Sequence, residues 1–226
     1  MSEEVKPIRT ERIDNPDGTY IIKSIFSKDN DYLSQIELFS NNNELIESTW
    51  YKDINFSNIY CKQNNNLSEH TTIIRRYYDD IHEYNCEKIS YNKYDAIEKV
   101  EYYYDYELKN LYAIEDYKYY PFHIEMHTIF EQEHNGYFSC IEYCKLHGKA
   151  YKATAFYDKY YKNVYRKTKS KYLKNDNIIV LRIYSNIVEN KYFSEIEKYD
   201  KSKNLIYTKQ YKFKGIMAHI LFWLAR

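Results

Sequence analysis

Short runs of alternating apolar and polar residues, separated by polar turns, recur along the whole chain. In the stretch 196–211, two such runs flank a polar segment, a pattern that is typical of a β-hairpin. The same frame begins at Ile36, Ile141 and Ile196, each time with Glu directly after the Ile, an aliphatic residue nine places on and an aromatic residue fifteen places on. The chain therefore predicts a repeated hairpin.

The spacing of the copies indicates how much structure each repeat contains. A degenerate fourth copy is predicted to start at Ile89, which places the copies about 52 to 55 residues apart. An interval of that length indicates two or more hairpins in each unit. We expect an all-β fold, an antiparallel meander of repeated β-hairpins that forms one extended sheet in a single domain over residues 1–226.

The two ends of the chain differ from this pattern. Residues 1–14 form a polar lead-in that ends in a strand around 8–13. At the other end, Ile216, Ile220 and Leu224 lie four residues apart, which predicts a short C-terminal helix over 216–226 that caps the sheet.

Turn residues mark several of the reversals. The sequence at 15–18 combines Pro with Gly, and Asn135-Gly136 favours the type I′ turn that matches the twist of two paired strands. His147-Gly148 predicts a further turn. Residues 178–187 have a fully apolar centre and predict a strand deep in the sheet.

Two interpretations of residues 95–117 remain open. Apolar residues at three- and four-residue spacing behind Asp95, a possible N-cap, indicate an amphipathic helix. Alternation between Val100 and Leu108, with Tyr at several positions, indicates a strand instead. The strand-like neighbouring segments favour the second interpretation.

The composition is globular but rich in tyrosine. Hydrophobic residues make up 44% and charged residues 29%, with 30 Tyr, 4 Gly and 3 Pro. Tyr is amphipathic, so it can face either the core or water. Lys, Asn, Tyr and Ile also share A/T-rich codons, so codon bias competes with function as the explanation for the tyrosines.

The charge is balanced overall and segregated along the sequence. The formal net charge is +0, which gives no long-range field that favours nucleic acid or an anionic membrane. Residues 145–174 are nevertheless strongly basic, whereas residues 79–107 are mainly acidic.

Cysteine usage and the terminal segments predict a location. Four Cys in a chain of this length do not indicate a disulfide scaffold, and the polar start of the sequence has no apolar signal-peptide core. We expect a cytoplasmic protein. The apolar run 216–225 is shorter than the roughly 20 residues that a membrane-spanning helix needs.

Candidate metal and catalytic groups do not meet the requirements of known chemistry. Cys140 and Cys144 on one extended strand would lie about 13 Å apart, too far for a structural zinc site with His134 and His147. In the segment from His123 to His127 the Glu stands one place later than a zinc protease requires. We expect no cofactor, no metal and no enzymatic activity.

The basic stretch is the segment with functional promise, because it interleaves tyrosines with cations, a combination that stacks bases and follows a phosphate backbone. A solvated sheet face with Tyr beneath Lys stems gives the same pattern, and an acidic protein partner is a third interpretation. The candidate partner-binding residues are Tyr151, Tyr157, Tyr160, Tyr161, Tyr165, Arg166, Lys167, Lys169, Lys171 and Tyr172.

The repeat carries a resemblance to a known family. The residues that carry it are Ile36, Glu37, Phe39, Leu45 and Tyr51, then Ile141, Glu142, Gly148, Ala150 and Phe156, then Ile196, Glu197, Tyr199, Leu205 and Tyr211. This frame resembles the hairpin repeats of the MORN-like, YwqK-type bacterial antitoxin (toxin immunity) proteins, and it is similar to Tyr-rich RHS-type repeats. Those families place Gly at nearly every turn, whereas here only the copy that begins at Ile141 does so.

The resemblance implies an open antiparallel sheet that binds another macromolecule and neutralises a toxin. We therefore expect a non-enzymatic, cytosolic immunity protein that occludes a cognate bacterial toxin with a Tyr-rich sheet face. The alternative is a single-strand nucleic-acid-binding protein that uses residues 145–174. The sequence leaves the oligomeric state undetermined.

Overall fold

The fold is all-β, as the hydrophobic pattern predicts. The computed structural model describes residues 6–27, 31–77, 83–145, 150–173, 176–188, 192–212, 219, 220 and 222. Its sixteen strands form one open antiparallel meander sheet in which the strand order follows the chain from first to last.

The strands are β1 (Arg9–Asp14), β2 (Tyr20–Ile25), β3 (Ser34–Phe39), β4 (Leu45–Tyr51), β5 (Ile59–Asn66), β6 (Thr71–Arg76), β7 (Cys86–Tyr91), β8 (Ile97–Tyr103), β9 (Leu111–Tyr119), β10 (His123–His134), β11 (Tyr137–Lys145), β12 (Ala150–Phe156), β13 (Val164–Tyr172), β14 (Ile178–Val188), β15 (Tyr192–Tyr199) and β16 (Leu205–Tyr211). Residue contacts group them into two compact units, Met1–Tyr112 and Ala113–Arg226. Strands β1 to β8 lie in the first unit and β10 to β16 in the second.

The register of the sheet repeats every four strands, which confirms the predicted repeat and its two hairpins per unit. A small, fully buried residue occupies the same place in β3, β7, β11 and β15 and pairs with an aromatic residue on the next strand. The pairs are Ser34 with Tyr51, Cys86 with Tyr103, Ser139 with Phe156, and Ser194 with Tyr211.

The register also places the degenerate copy. Ile36 pairs with Thr49, and the equivalent pair in the second copy is Lys88 with Glu101. The second copy therefore begins at Lys88, one residue before the predicted Ile89, because the apolar residue of the frame has been replaced by a lysine.

The turns explain how the strands reverse with so few glycines. Gly18 and Gly136 have φ values of 85° and 86°, which confirms the two turns predicted at 15–18 and at Asn135-Gly136. At the β3–β4, β7–β8 and β15–β16 turns the left-handed conformation is adopted by Asn43, Asp95 and Lys203, with φ between 57° and 64°. The turn predicted at His147-Gly148 lies outside the described residues.

Residues 95–117 are extended, so the helical interpretation is wrong. β8 and β9 occupy most of the segment, and Asp95 lies in the turn before β8 and does not cap a helix. The side chain of Asn92 accepts hydrogen bonds from the backbone N–H groups of Tyr94 and Ala96, so the local polar residues stabilise a turn.

A hydrophobic cluster lies on β14 and β15. Ile179, Leu181, Ile196 and Phe222 are each no more than 2% exposed and contact one another. The deep strand predicted at 178–187 is thereby confirmed. The C-terminal helix predicted at 216–226 lies almost entirely outside the described residues and stays a prediction.

Stacked tyrosines recur at one position of the repeat. The ring pairs Tyr32–Tyr60, Tyr84–Tyr112 and Tyr137–Tyr165 have centroid separations of 6.4, 5.9 and 6.1 Å and interplanar angles below 30°. Aromatic pairs of this geometry contribute about 0.5 to 1.5 kcal/mol each beyond the area that they bury. Part of the tyrosine content therefore has a structural role.

Within the part of the chain that is described, no helix has the length and apolar character that crossing a membrane requires.

Candidate functional site

Five lysines gather on one face of the second unit, and we call them the lysine cluster: Lys145, Lys152, Lys167, Lys169 and Lys171. Lys145 ends β11, Lys152 lies on β12, and the other three occupy alternate positions of β13. Because successive side chains of a strand point to opposite faces, the three β13 lysines share one face and follow each other at about 6 to 7 Å.

The sheet register brings the remaining lysines to the same face. Lys152 pairs directly with Lys169 across β12 and β13, and its other cross-strand partner is Tyr143 on β11. Lys145 lies two residues beyond Tyr143, so it shares that face as well. Like charges placed directly opposite each other destabilise a sheet, so this arrangement has an electrostatic cost.

A cavity of about 770 Å³ opens at this cluster. Four of the five lysines line it, together with Tyr151, Ser170, Tyr172, Asp176 and Phe222. Lys152 and Lys169 also line a smaller neighbouring cavity of about 250 Å³, where they meet Lys167, Leu181 and His219. The two cavities share the central pair of lysines and have apolar side chains in their walls.

Four cations of the cluster are not compensated by a carboxylate within the described part of the chain. There, Lys145, Lys152, Lys167 and Lys169 form no ion pair with a carboxylate, and Asp176 is the single acidic residue of the lining. Lys152 instead places its Nζ 4.4 Å from the centroid of the Tyr143 ring. These four lysines can therefore accept an anionic group without first breaking an internal ion pair.

His219 shows the electrostatic effect of the cluster on a neighbouring group. Burial lowers the pKa of the His219 imidazole, and the positive charge of Lys169 lowers that pKa further. The Nδ1 atom of His219 is buried and has no hydrogen-bond partner among the residues that the structure describes. The imidazole therefore favours its neutral form beside the lysines.

The structure distributes the predicted binding residues over three places. Lys167, Lys169 and Lys171 belong to the lysine cluster, and Tyr151 and Tyr172 line its cavity, with the Tyr172 hydroxyl donating to the Ala150 carbonyl at 2.9 Å. Lys145 and Lys152 complete the site but were not among the predicted residues. The signal for Lys152 in the sequence is the β12–β13 hairpin, whose pairing sets Lys152 opposite Lys169. Lys145 lies on β11 and joins the site through the alternation of that strand.

Arg166 lies on the opposite face from the lysine cluster, because it directly precedes Lys167 on an extended strand. Its guanidinium carbon is 5.8 to 6.0 Å from the ring centroids of Tyr137, Tyr165 and Tyr184. This packing of a cation among rings stabilises the sheet, and it separates Arg166 and Tyr165 from the cavity.

Tyr157, Tyr160 and Tyr161 lie in a loop before β13 that is organised by Asp158. The Asp158 carboxylate accepts hydrogen bonds from the backbone N–H groups of residues 160, 162 and 163. Tyr160 is 78% exposed, whereas Tyr161 packs edge-on against Phe156 at 5.5 Å.

The same loop occurs three times in the described part of the chain, after β4, β8 and β12, at residues 53–58, 105–110 and 158–163. In each loop an Asp accepts several backbone N–H groups, and the bulky fourth residue has a positive φ. We call this the Asp loop. Sequence reasoning missed it, although its signal, Asp followed five residues later by Asn, recurs at the repeat spacing.

The candidate metal ligands have other roles. His123 and His127 flank Glu125 on β10 and place their Nε2 atoms 3.3 and 3.2 Å from its two carboxylate oxygens. Cys140 is buried, and burial raises the pKa of its thiol to about 12. Among the described residues no group of three or more His, Cys, Asp or Glu is placed to hold a metal ion.

The fold and the lysine cluster define a repeated-hairpin sheet protein with a cationic surface on its second unit. Comparison of the sequence with models of known protein families gave no match, and a search among curated proteins also gave no significant match.

Proposed function

We propose that this chain is a non-enzymatic binding protein, and that it acts as a cytosolic immunity protein that binds and occludes a bacterial toxin. The observation that carries the proposal is the lysine cluster. Uncompensated cations beside a cavity repel one another in the free protein, and a partner of opposite charge removes that cost. Binding to such a partner is therefore favoured by the free protein's own electrostatics.

The way the strands present this surface supports binding. Lys152, Lys167 and Lys169 project from paired strands and not from a loop, so their backbone positions are fixed before a partner arrives. Pre-organisation of this kind lowers the entropy cost of association. Tyr172 adds exposed aromatic surface with few rotatable bonds in the cavity lining.

The proposal is tested by co-expression with the product of the gene directly upstream. A culture that expresses the upstream product alone should stop growing, and co-expression of this chain should restore growth. The two proteins should co-elute from a size-exclusion column. Continued growth arrest, with no complex on the column, would contradict the immunity role.

A second candidate function has one observation in its favour. Lys167, Lys169 and Lys171 form a row beside Tyr151 and Tyr172, and cations combined with rings suit single-stranded nucleic acid. The affinity of such binding falls steeply as the salt concentration rises. The slope of the logarithm of the binding constant against the logarithm of the salt concentration is about −0.7 for each phosphate contact.

Charge reversal distinguishes the second candidate from the first. Changing all three lysines of the row to Glu should abolish binding of a single-stranded oligonucleotide and remove about 2 from the salt slope. Binding that is insensitive to the change would exclude the row as a nucleic-acid site.

A further inference from the structure

We propose that the cavity beside Lys152 and Lys169 binds an acidic peptide segment of the partner protein, with carboxylates on the lysines and an apolar side chain against the Tyr172 ring. The inference rests on the proposed binding function and adds the chemistry of the segment that is recognised. Among the described residues, the lining contains four lysines and one carboxylate, from Asp176. Carboxylates are the protein side chains that accept charge-assisted hydrogen bonds from ammonium groups.

The composition of the cavity indicates a mixed acidic and apolar ligand. Tyr151 and Tyr172 form part of the cavity wall, and Tyr172 is 40% exposed. An apolar side chain packed against the Tyr172 ring would bury apolar surface on both partners, which stabilises a complex. A purely ionic ligand would leave that wall unused.

The size of the cavity agrees with a short segment. Ligand-binding cavities commonly measure about 300 to 1,000 Å³, and this one measures about 770 Å³. Such a volume accommodates a few side chains of an extended peptide. The smaller cavity beside it, which shares Lys152 and Lys169, offers room for a second contact.

The boundaries of the patch favour a peptide over a nucleic-acid strand. On β14, the residues opposite Lys169 and Lys171 are the apolar Leu181 and Ile179, so the cationic row does not continue across that strand. On β10, the residue opposite Tyr143 is Glu125, which is acidic. A nucleic-acid strand needs a longer basic track, whereas a compact acidic segment fits between these boundaries.

The test uses three fluorescent probes and fluorescence anisotropy. The first probe is a pentapeptide in which one phenylalanine is flanked by two glutamates on each side. The second replaces every glutamate by glutamine, and the third is a single-stranded oligothymidylate. The acidic peptide should bind the wild-type chain, and the neutral peptide should not.

The key variant is Lys152→Gln/Lys169→Gln, and its control is Lys109→Gln/Lys209→Gln, which makes the same change in net charge at exposed lysines outside the cavity. The key variant should bind the acidic peptide at least about tenfold more weakly, and the control should bind it as the wild type does. Far-UV circular dichroism and thermal unfolding establish that both variants fold.

Three results would overturn the inference. The first is equal affinity of the two peptides, and the second is unchanged peptide binding in a folded key variant. The third is that the wild type binds the oligothymidylate more tightly than the acidic peptide and that the key variant no longer binds the oligothymidylate. Growth protection tests the proposed function separately. If the chain protects growth but does not bind the peptide through the cavity, the proposed function is supported and the inference is wrong. If the chain binds the peptide through the cavity but does not protect growth, the inference is supported and the immunity role is wrong.

Discussion

The glutamate of the repeated Ile–Glu pair has different surroundings in different copies. Glu197 contacts Arg182 and accepts a hydrogen bond from the Tyr199 hydroxyl. Glu142, by contrast, has no hydrogen-bond or ion-pair partner among the described residues, and it lies opposite Met126 and Ala153. Burial raises the pKa of the Glu142 carboxyl, and the charge of Glu115 adds to that effect.

We expect Glu142 to make stability dependent on pH. Because its folded pKa lies above its unfolded pKa, the folded state binds more protons between the two values, and stability falls as the pH rises through the folded pKa. Glu142→Gln should therefore become more stable than the wild type as the pH rises from about 4 to about 7. Urea unfolding across that range measures the difference, and Glu133→Gln, at an exposed position of β10, is the control. A difference that is constant with pH would contradict the prediction.

Ser139 illustrates a buried polar residue that fixes a loop. Its hydroxyl is fully buried and donates to the Asp158 carbonyl at 2.6 Å, which ties β11 to the Asp loop. Ser34 makes the equivalent bond to Asp53. We expect Ser139→Ala to lower the free energy of unfolding by about 0.5 to 1.5 kcal/mol, because the hydrogen bond that holds the loop is lost. Chemical denaturation measures this loss, with Ser202→Ala at an exposed turn as the control. Equal stabilities of the two variants would disprove the role of the bond.

At the scale of elements, the hairpin turns replace glycine with larger residues at a strained position. Lys203 has a φ of 64° and donates its N–H to the Asp200 carbonyl. The left-handed conformation costs an L-residue roughly 1 to 2 kcal/mol, and Gly avoids that cost.

Lys203→Gly should therefore raise the free energy of unfolding by about 0.5 to 1 kcal/mol, after the extra entropy of Gly in the unfolded chain is subtracted. Thermal unfolding measures the gain. Ser202→Gly, next to it but without a positive φ, should lower stability. A destabilised Lys203→Gly variant would show that the Lys side chain contributes contacts that outweigh the backbone strain.

The cross-strand pair Lys152–Lys169 gives a second prediction at this scale. Like charges opposite each other destabilise a sheet by about 0.2 to 1 kcal/mol. Lys169→Gln should therefore stabilise the free protein by up to that amount at low salt, and the gain should shrink as salt screens the charges. Lys209→Gln, at an exposed position of β16, should change stability little. A loss of stability in Lys169→Gln would contradict the assigned repulsion.

Sequence reasoning predicted the hairpins because their signals are local. The Asn135-Gly136 turn and the alternation of the strands depend on residues close in sequence, and both are confirmed. The helix considered for 95–117 failed because tyrosine pairs between neighbouring strands outweigh a helical spacing. The Asp loop was missed because its stabilising contacts are between a side chain and the backbone, which hydrophobic periodicity does not detect.

The candidate site was predicted only in part from the sequence. A basic, Tyr-rich stretch is visible in the sequence, but which of its residues share a face depends on strand boundaries and bulges. The register shift between Ala155 and Phe156 sets which residues of β12 oppose β13. It brings Lys152 into the cluster, whereas the alternation along β13 sends Arg166 to the other face.

At the scale of the whole molecule, a neutral chain carries a strongly cationic surface. The formal net charge is +0, yet the lysine cluster concentrates positive charge on strands β11 to β13 of the second unit. Local charge of this kind directs a partner to one surface without giving the protein a general affinity for polyanions. The repeated turns and stacked tyrosines build the sheet, and the lysines on strands β11 to β13 supply the cationic surface.

The most direct test of this account is the dissociation constant of the complex with the upstream gene product, measured by isothermal titration calorimetry. We predict that Lys152→Gln/Lys169→Gln weakens the complex by at least about tenfold, whereas Lys109→Gln/Lys209→Gln leaves it unchanged. Equal dissociation constants for the wild type and the folded Lys152→Gln/Lys169→Gln variant would contradict the claim that the lysine cluster is the binding surface.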